Sequence, residues 1–282
     1  MHSVGSEPSL SQETELAREY FLPPALRNRR AALVVAHPGH ELRVHRWMAL
    51  ARPSVCVFTD GSGHTGQSRL DSTTRLLTQA SARPGSIYGR FKDVEIYAAI
   101  LDNDFSLFIE LAEELAEALV RDAVEYVVGD AIEGYNPTHD LCRSVINAAV
   151  ELANRIKPNR IANFDFLVAG PPDSRSDELR TREVCLRLDE VALERKLAAV
   201  RSYLELNDDV GKMISEMGSA ALQFEALRPV ISAVRTDDVI QEPPFYERYG
   251  EKQVAEGYYR RVIRYREHIL PLADALVNCA QR

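Results

Sequence analysis

The chain has 282 residues, 45% of them hydrophobic and 27% charged, which is ordinary globular composition and enough length to bury a full core. A formal net charge of -8 leaves no surplus of Lys or Arg to neutralise phosphates, so no nucleic-acid partner is expected. No apolar run reaches the length of a membrane span and Met1 to Leu22 lack a signal-peptide core, so the sequence predicts a cytoplasmic protein with no membrane association. The cysteines Cys56, Cys142, Cys185 and Cys279 are scattered without a CxxC pair, which fits reduced thiols, with Cys56 and Cys142 in the core.

In chain order, residues 1–30 read as a polar arm, basic at Arg27, Arg29 and Arg30 and broken at Pro23 and Pro24. Ala31 to Ala36 are six consecutive apolar residues, the pattern of a parallel strand buried on both faces. Glu41 to Ala51 has helical spacing, with His40, Val44, Trp47, Met48 and Ala51 on one face and His45 on another. Ser54 to Thr59 is a second buried strand. Asp60 to Gly66 follows as a glycine-rich loop without the Lys-Ser/Thr of a P-loop. Arg69 to Ala82 reads as a helix closed by Pro84 and Gly85, and Val94 to Leu101 as a short strand with Asp102 and Asp104 on the loop beyond.

Phe105 to Val120 is an amphipathic helix and Tyr126 to Gly129 another strand. Asn136 and Pro137 then open a helix with Leu141, Val145, Ala149 and Leu152 on its buried face. Ile161 to Val168 is one more strand, and Pro171-Pro172 the clearest boundary. Beyond it, Ser176 to Leu206 reads as a long charged helix and 218–235 as an apolar helix or strand. Glu251 to Ala280 reads as a terminal helix, packed on the main domain with Phe245, Tyr246, Tyr249, Tyr258, Tyr259 and Tyr265. Strands alternating with helices predict an α/β fold, organised as an arm (1–30), a metal-binding core (31–170) and a mostly helical extension (171–282) packed on the core.

Ligands of open α/β sheets bind at the carboxyl ends of strands, where His37 and His40 stand in the turn after the first strand. Two imidazoles at this spacing can grip one metal ion; two solvated turn histidines are the plainer alternative. His139 falls in the first turn of the helix that Asn136 opens, near the positive end of its dipole, where an oxyanion is stabilised.

Four stretches together resemble the PIG-L/LmbE-like N-deacetylase family, as a divergent member, over roughly residues 31–206. They are Ala36-His37-Pro38-Gly39-His40-Glu41, Thr59-Asp60-Gly61 with Arg69 downstream, Asn136-Pro137-Thr138-His139, and the Lys196 to Ser202 helix. The resemblance implies a Rossmann-like, mostly parallel sheet flanked by helices. It also implies zinc-dependent removal of acetyl groups from N-acetylglucosamine-type sugars.

Carried onto this chain, His37 matches the first metal ligand, His40 replaces an aspartate ligand and His139 keeps the third. Zn²⁺ or another divalent transition metal is therefore expected on these three. Gly39 stands in place of the family's general base. Asn136 replaces a histidine linked to acid catalysis or oxyanion stabilisation, and Thr138 the aspartate that orients it. The ligand positions remain metal-competent while the proton-handling positions do not. A three-histidine site also carries one less negative charge than the family's set, which makes metal-bound water more acidic.

General acid–base assistance typically contributes ~10²- to 10⁴-fold, so a substitute is needed. Glu41, Asp140 and His64 are the catalytic candidates, with Asp60 and Asp104 behind them; dipole complementarity is the plainer role for Glu41 and Asp140. Arg69, Asn136 and Asp104 are the substrate-binding candidates. The function expected is a metal-dependent hydrolase in which a zinc-bound hydroxide attacks the amide carbonyl of a small-molecule substrate, an N-acylated sugar among the options. A metal-dependent hydratase or lyase, or a catalytically degenerate binding protein, are the alternatives, and a homo-oligomer is left open.

Overall fold

The computed structural model describes residues 22–63, 65–170, 183–206, 222–230 and 242–282. Among them are β1 (Ala31–Val35), β2 (Ser54–Thr59), β3 (Arg83–Phe91), β4 (Tyr126–Asp130), β5 (Ala162–Phe166), β6 (Val184–Arg187) and β7 (Phe224–Pro229). They form one sheet in the order β3-β2-β1-β4-β5-β7-β6. The first five strands are parallel; β7 runs antiparallel to β5, and β6 to β7.

The apolar runs of the sequence are the central strands. Both faces of β1 are covered, and the pleat sends alternate residues to opposite layers. Ala32 and Val34 join Cys56, Phe58 and Val127 on one face, under α3 (Asp93–Leu101), α4 (Phe105–Arg121), α5 (Pro137–Ile156) and α8 (Leu270–Gln281). Leu33 and Val35 join Val55, Val57 and Val128 on the other, under α1 (His45–Ala51), α2 (Leu70–Gln79) and α6 (Glu190–Ser202). The remaining helix, α7 (Phe245–Ala255), precedes a π-helical turn at Tyr265–Ile269 that leads into α8. The expected α/β fold, a mostly parallel sheet between helices, is what forms.

Several local expectations are corrected. Val94 to Leu101 is helical, not extended: Ile96 and Ile100, one turn apart, are buried while Val94 is 64% exposed, and Lys92 N–H donates to Glu95 to cap the start. Pro84 and Gly85, expected to close a helix, lie in edge strand β3, where Pro84 costs no central ladder bond. Of the long helix expected over 176–206, the described part holds strand β6 and only then α6, capped by Asp189. Phe224–Pro229 is a strand, and the terminal helix is two helices interrupted near Gly257 (φ +81°). The tail beyond residue 171 thus supplies two strands to the sheet as well as helices.

The chain builds β1, β2 and β3 outward in one direction, then crosses back to lay β4 on the other side of β1. The carboxyl ends of β1 and β4 therefore flank the topological switch point, where open α/β sheets leave a crevice.

Candidate metal centre

Both histidine groups sit at this crevice. The chain leaves β1 through His37 and Pro38, reverses at Gly39 (φ +106°) and enters a 3-10 turn over His40–Val44. Opposite, β4 ends at Asp130, and its loop leads to Asn136, whose side chain accepts from Thr138 N–H at 2.8 Å and starts α5 with Pro137 in the first turn. His139, in the first turn of that helix, is buried facing the other two rings. The ring centroids lie 5.4 Å apart for His37 and His40, 5.2 Å for His37 and His139, and 4.4 Å for His40 and His139.

Two carboxylates fix the first two rings. His37 Nδ1 lies 2.9 Å from Asp93 Oδ1 and 2.7 Å from the Thr59 hydroxyl, and Asp93 Oδ2 accepts from Gly63 N–H at 2.5 Å. Burial works against ionisation of Asp93, but bonding to His37 and its charge, with Thr59 and Gly63 adding bonds, hold the carboxyl near 2. His40 Nδ1 lies 2.9 Å from Asp130 Oδ2, which also accepts from Ala36 N–H at 2.8 Å. Burial alone would lower the His40 pKa; the Asp130 charge and hydrogen bond reverse this and raise it. His139 has no such partner, and burial followed by the neighbouring His40 and His37 lowers its pKa well below the usual imidazole value.

With each Nδ1 turned to a carboxylate, His37 and His40 keep Nε2 for other work. His37 Nε2, His139 Nδ1 and Asp130 Oδ1 are buried and without a hydrogen-bond partner. The donor set suits a divalent transition metal: imidazoles around a tetrahedral zinc at its usual bond length stand with centroids about 5 Å apart. The side chains do not stand in a closed ligating arrangement, since among the described residues no group of three or more His, Cys, Asp or Glu does so. The residues fit the ion in kind and in their unpartnered atoms.

The other predicted residues go elsewhere. Glu41 is fully buried, with one carboxylate oxygen accepting from Gly39 N–H at 2.7 Å and the other from the Thr73 hydroxyl at 2.7 Å. It braces the turn that presents His40. Asp140 is fully buried too and accepts from the N–H groups of Glu133 and Gly134, folding the loop before α5. Burial pushes its carboxyl up to about 7. Asn136 spends its oxygen on the helix cap, while its Nδ2 donates to the Tyr97 hydroxyl at 3.1 Å.

Asp104 is the cap of α4, accepting from Leu107 N–H and the Ser106 hydroxyl, and is not brought to the rings. Asp60 accepts from Ser62 N–H within the glycine-rich loop. The Arg69 stem packs beside Gly61, across from Pro38, close behind the His37 turn. His64 lies outside the described residues.

Sequence reasoning missed Asp93, Asp130 and Glu133. Asp130 carried a signal: an acidic residue ending an otherwise apolar strand at the level of the His37 turn. Glu133 accepts from Val168 and Ala169 N–H, and burial first, then the Asp130 charge, push its carboxyl up to about 7. The C-terminal aromatics divide: Tyr246 and Tyr265 are buried as packing residues, while Phe245 and Tyr249 are exposed. Phe245 stacks on Tyr135 at 5.1 Å, and the Tyr135 ring lies 6.5 Å from that of His139. Rings from the tail thus border the crevice instead of only anchoring a helix.

No family model matches this sequence, and no curated protein does. Solved structures do. The chain is similar to a deacetylase complex from the biosynthesis pathway of teicoplanin, with 18% identity over 72% of this chain and 98% of that one and a TM-score of 0.48. A triple mutant of a deacetylase involved in the teicoplanin pathway matches at 16% identity over 72% and 98% of the two chains, TM-score 0.46. The zinc-inhibited form of teicoplanin deacetylase Orf2 matches at 16% identity over 71% and 98%, TM-score 0.45.

Proposed function

We propose that this chain is a metal-dependent amide hydrolase of the deacetylase kind, with His37, His40 and His139 as the metal ligands and a small N-acylated molecule, such as an N-acylated sugar, as substrate. The observation that carries this is the meeting of three imidazoles from two distant segments at the switch point of the sheet, with buried nitrogens that nothing else satisfies. A divalent ion held there supplies Lewis acidity to an acyl oxygen and acidifies bound water.

The chain's own groups divide the rest of the work. Asp93 and Asp130 hold two rings in one tautomer, as carboxylates behind metal-binding histidines do. The first turn of α5 offers its positive dipole end to charge developing on oxygen. Tyr97 accepts from Asn136 and lies in hydrogen-bonding reach of Thr138; burial first of all pushes this phenol up to about 12, so it stays protonated at neutral pH. Glu133, pushed up to about 7 and, like Glu41, helping to raise the His40 pKa, joins Asp140 among the carboxyls suited to carry a proton.

Elemental analysis of protein purified without chelators tests the reading. About one equivalent of zinc or a similar metal is expected, lost in His139→Ala, together with acetate release from acetamido sugars that follows the metal. A metal-free wild type, or unchanged metal in His139→Ala, rejects it.

A further inference from the structure

We infer that Asp130 supplies, from behind His40, the negative charge that a directly ligating carboxylate would bring, so that His40 and Asp130 act as one extended ligand. This rests on the metal-binding reading above, in which Asp130 only orients the ring, and gives its charge a part in holding the ion.

Asp130 ends β4 and is fully buried. One oxygen, Oδ2, takes both the His40 ring and the Ala36 N–H, while Oδ1 has no partner. A buried carboxylate is costly unless opposite charge compensates it, and a half-satisfied one is a poor choice for merely tying two strands together. Ala36 N–H alone would have been served by a neutral acceptor. Placed as it is, the carboxylate polarises the imidazole through Nδ1 and makes Nε2 a stronger donor.

Asp93 does the same for His37, but its second oxygen is spent on Gly63 N–H and it shares its ring with Thr59. Asp130 is the less committed of the two, and its charge reaches the ligand position through the length of one imidazole.

Zinc affinity, measured on metal-stripped full-length protein by competition with a chromophoric chelator, tests this without recourse to activity. Asp130→Asn should weaken zinc binding by about 10- to 100-fold. In the His40→Asp background, where no imidazole transmits the charge, Asp130→Asn should cost about tenfold less affinity than it costs in the wild type. Unchanged affinity in Asp130→Asn, or an equal loss in both backgrounds, overturns the inference while leaving the metal site standing. A wild type that binds no zinc overturns the functional reading itself.

If Asp130→Asn fails to fold, Asp130→Ser, a smaller neutral acceptor for the Ala36 N–H, carries the same test: zinc affinity should fall by about 10- to 100-fold, and unchanged affinity overturns the inference.

Discussion

Leu206 occupies the space that a side chain on Gly39 would need. A Cβ at Gly39 overlaps the Leu206 Cδ1 and lies 3.8 Å from the Tyr203 ring, and Gly39 itself holds φ at +106°. The place where the family resemblance expects a general base is closed by backbone conformation and by the turn after α6. That glycine is a structural commitment.

Restoring an acid there should fail. Gly39→Asp is expected to lose about 1–3 kcal/mol from backbone strain alone, without gaining deacetylase activity. Gly39→Asp/Leu206→Ala removes the overlap and keeps the strain, so its melting temperature should still fall below that of Leu206→Ala alone. Thermal melts of the four proteins check this, and an active, undestabilised Gly39→Asp would contradict it.

The brace behind the same turn is a relay. The Thr73 hydroxyl donates to Glu41 and lies 2.8 Å from the Tyr203 hydroxyl, which therefore donates to Thr73. Thr73→Val leaves one oxygen of the buried Glu41 without its donor and should cost about 1–3 kcal/mol; Tyr203→Phe removes the bond to Thr73 and a longer one to the Arg69 carbonyl, and should cost about 1 kcal/mol. Urea denaturation ranks the two.

Lys196 and Glu225 form a buried ion pair at 2.8 Å. Glu225 also accepts from Arg46 and Trp47 N–H at the start of α1. Lys196→Met leaves that carboxylate without its cation and should cost about 3–5 kcal/mol. The added change Glu225→Gln should recover part of the loss, because a neutral amide is cheaper to bury. A double variant less stable than Lys196→Met would refute this account of the pair.

Stability should also depend on pH through Glu133. Its folded carboxyl titrates near 7, above the ordinary value of 4.5, so the folded state holds the extra proton between those values. The contribution is fully present below about pH 4.5 and is lost as pH rises through 7. On metal-stripped protein, the loss from this group should be on the order of 2 kcal/mol after solvent screening. Glu133→Gln should flatten the decline in part, leaving the share from Asp140, which shifts in the same direction. Denaturant melts at pH 5 and 7.5 measure it, and an identical slope in the variant would remove Glu133 as the source.

The sequence alone determined the buried strands around β1, the capped start of α5 and the positions of the three histidines. These are local signals: apolar runs, a cap residue before proline, and turn residues after a strand. Where the local signal was ambiguous it failed. The Ile96 and Ile100 pair fits either element until α3 is packed, and Pro84 argues against a strand until β3 is known to lie at the edge. Tertiary structure alone decided what stands behind the rings. His37 meets Asp93 across 56 residues and His40 meets Asp130 across 90. Those distances are closed only by the order of strands in the sheet, which no stretch of local sequence encodes. A carboxylate withdrawn from water goes where donors are found, and the donors of Glu41 and Glu133 come from distant segments: Thr73 for the one, Val168 and Ala169 for the other.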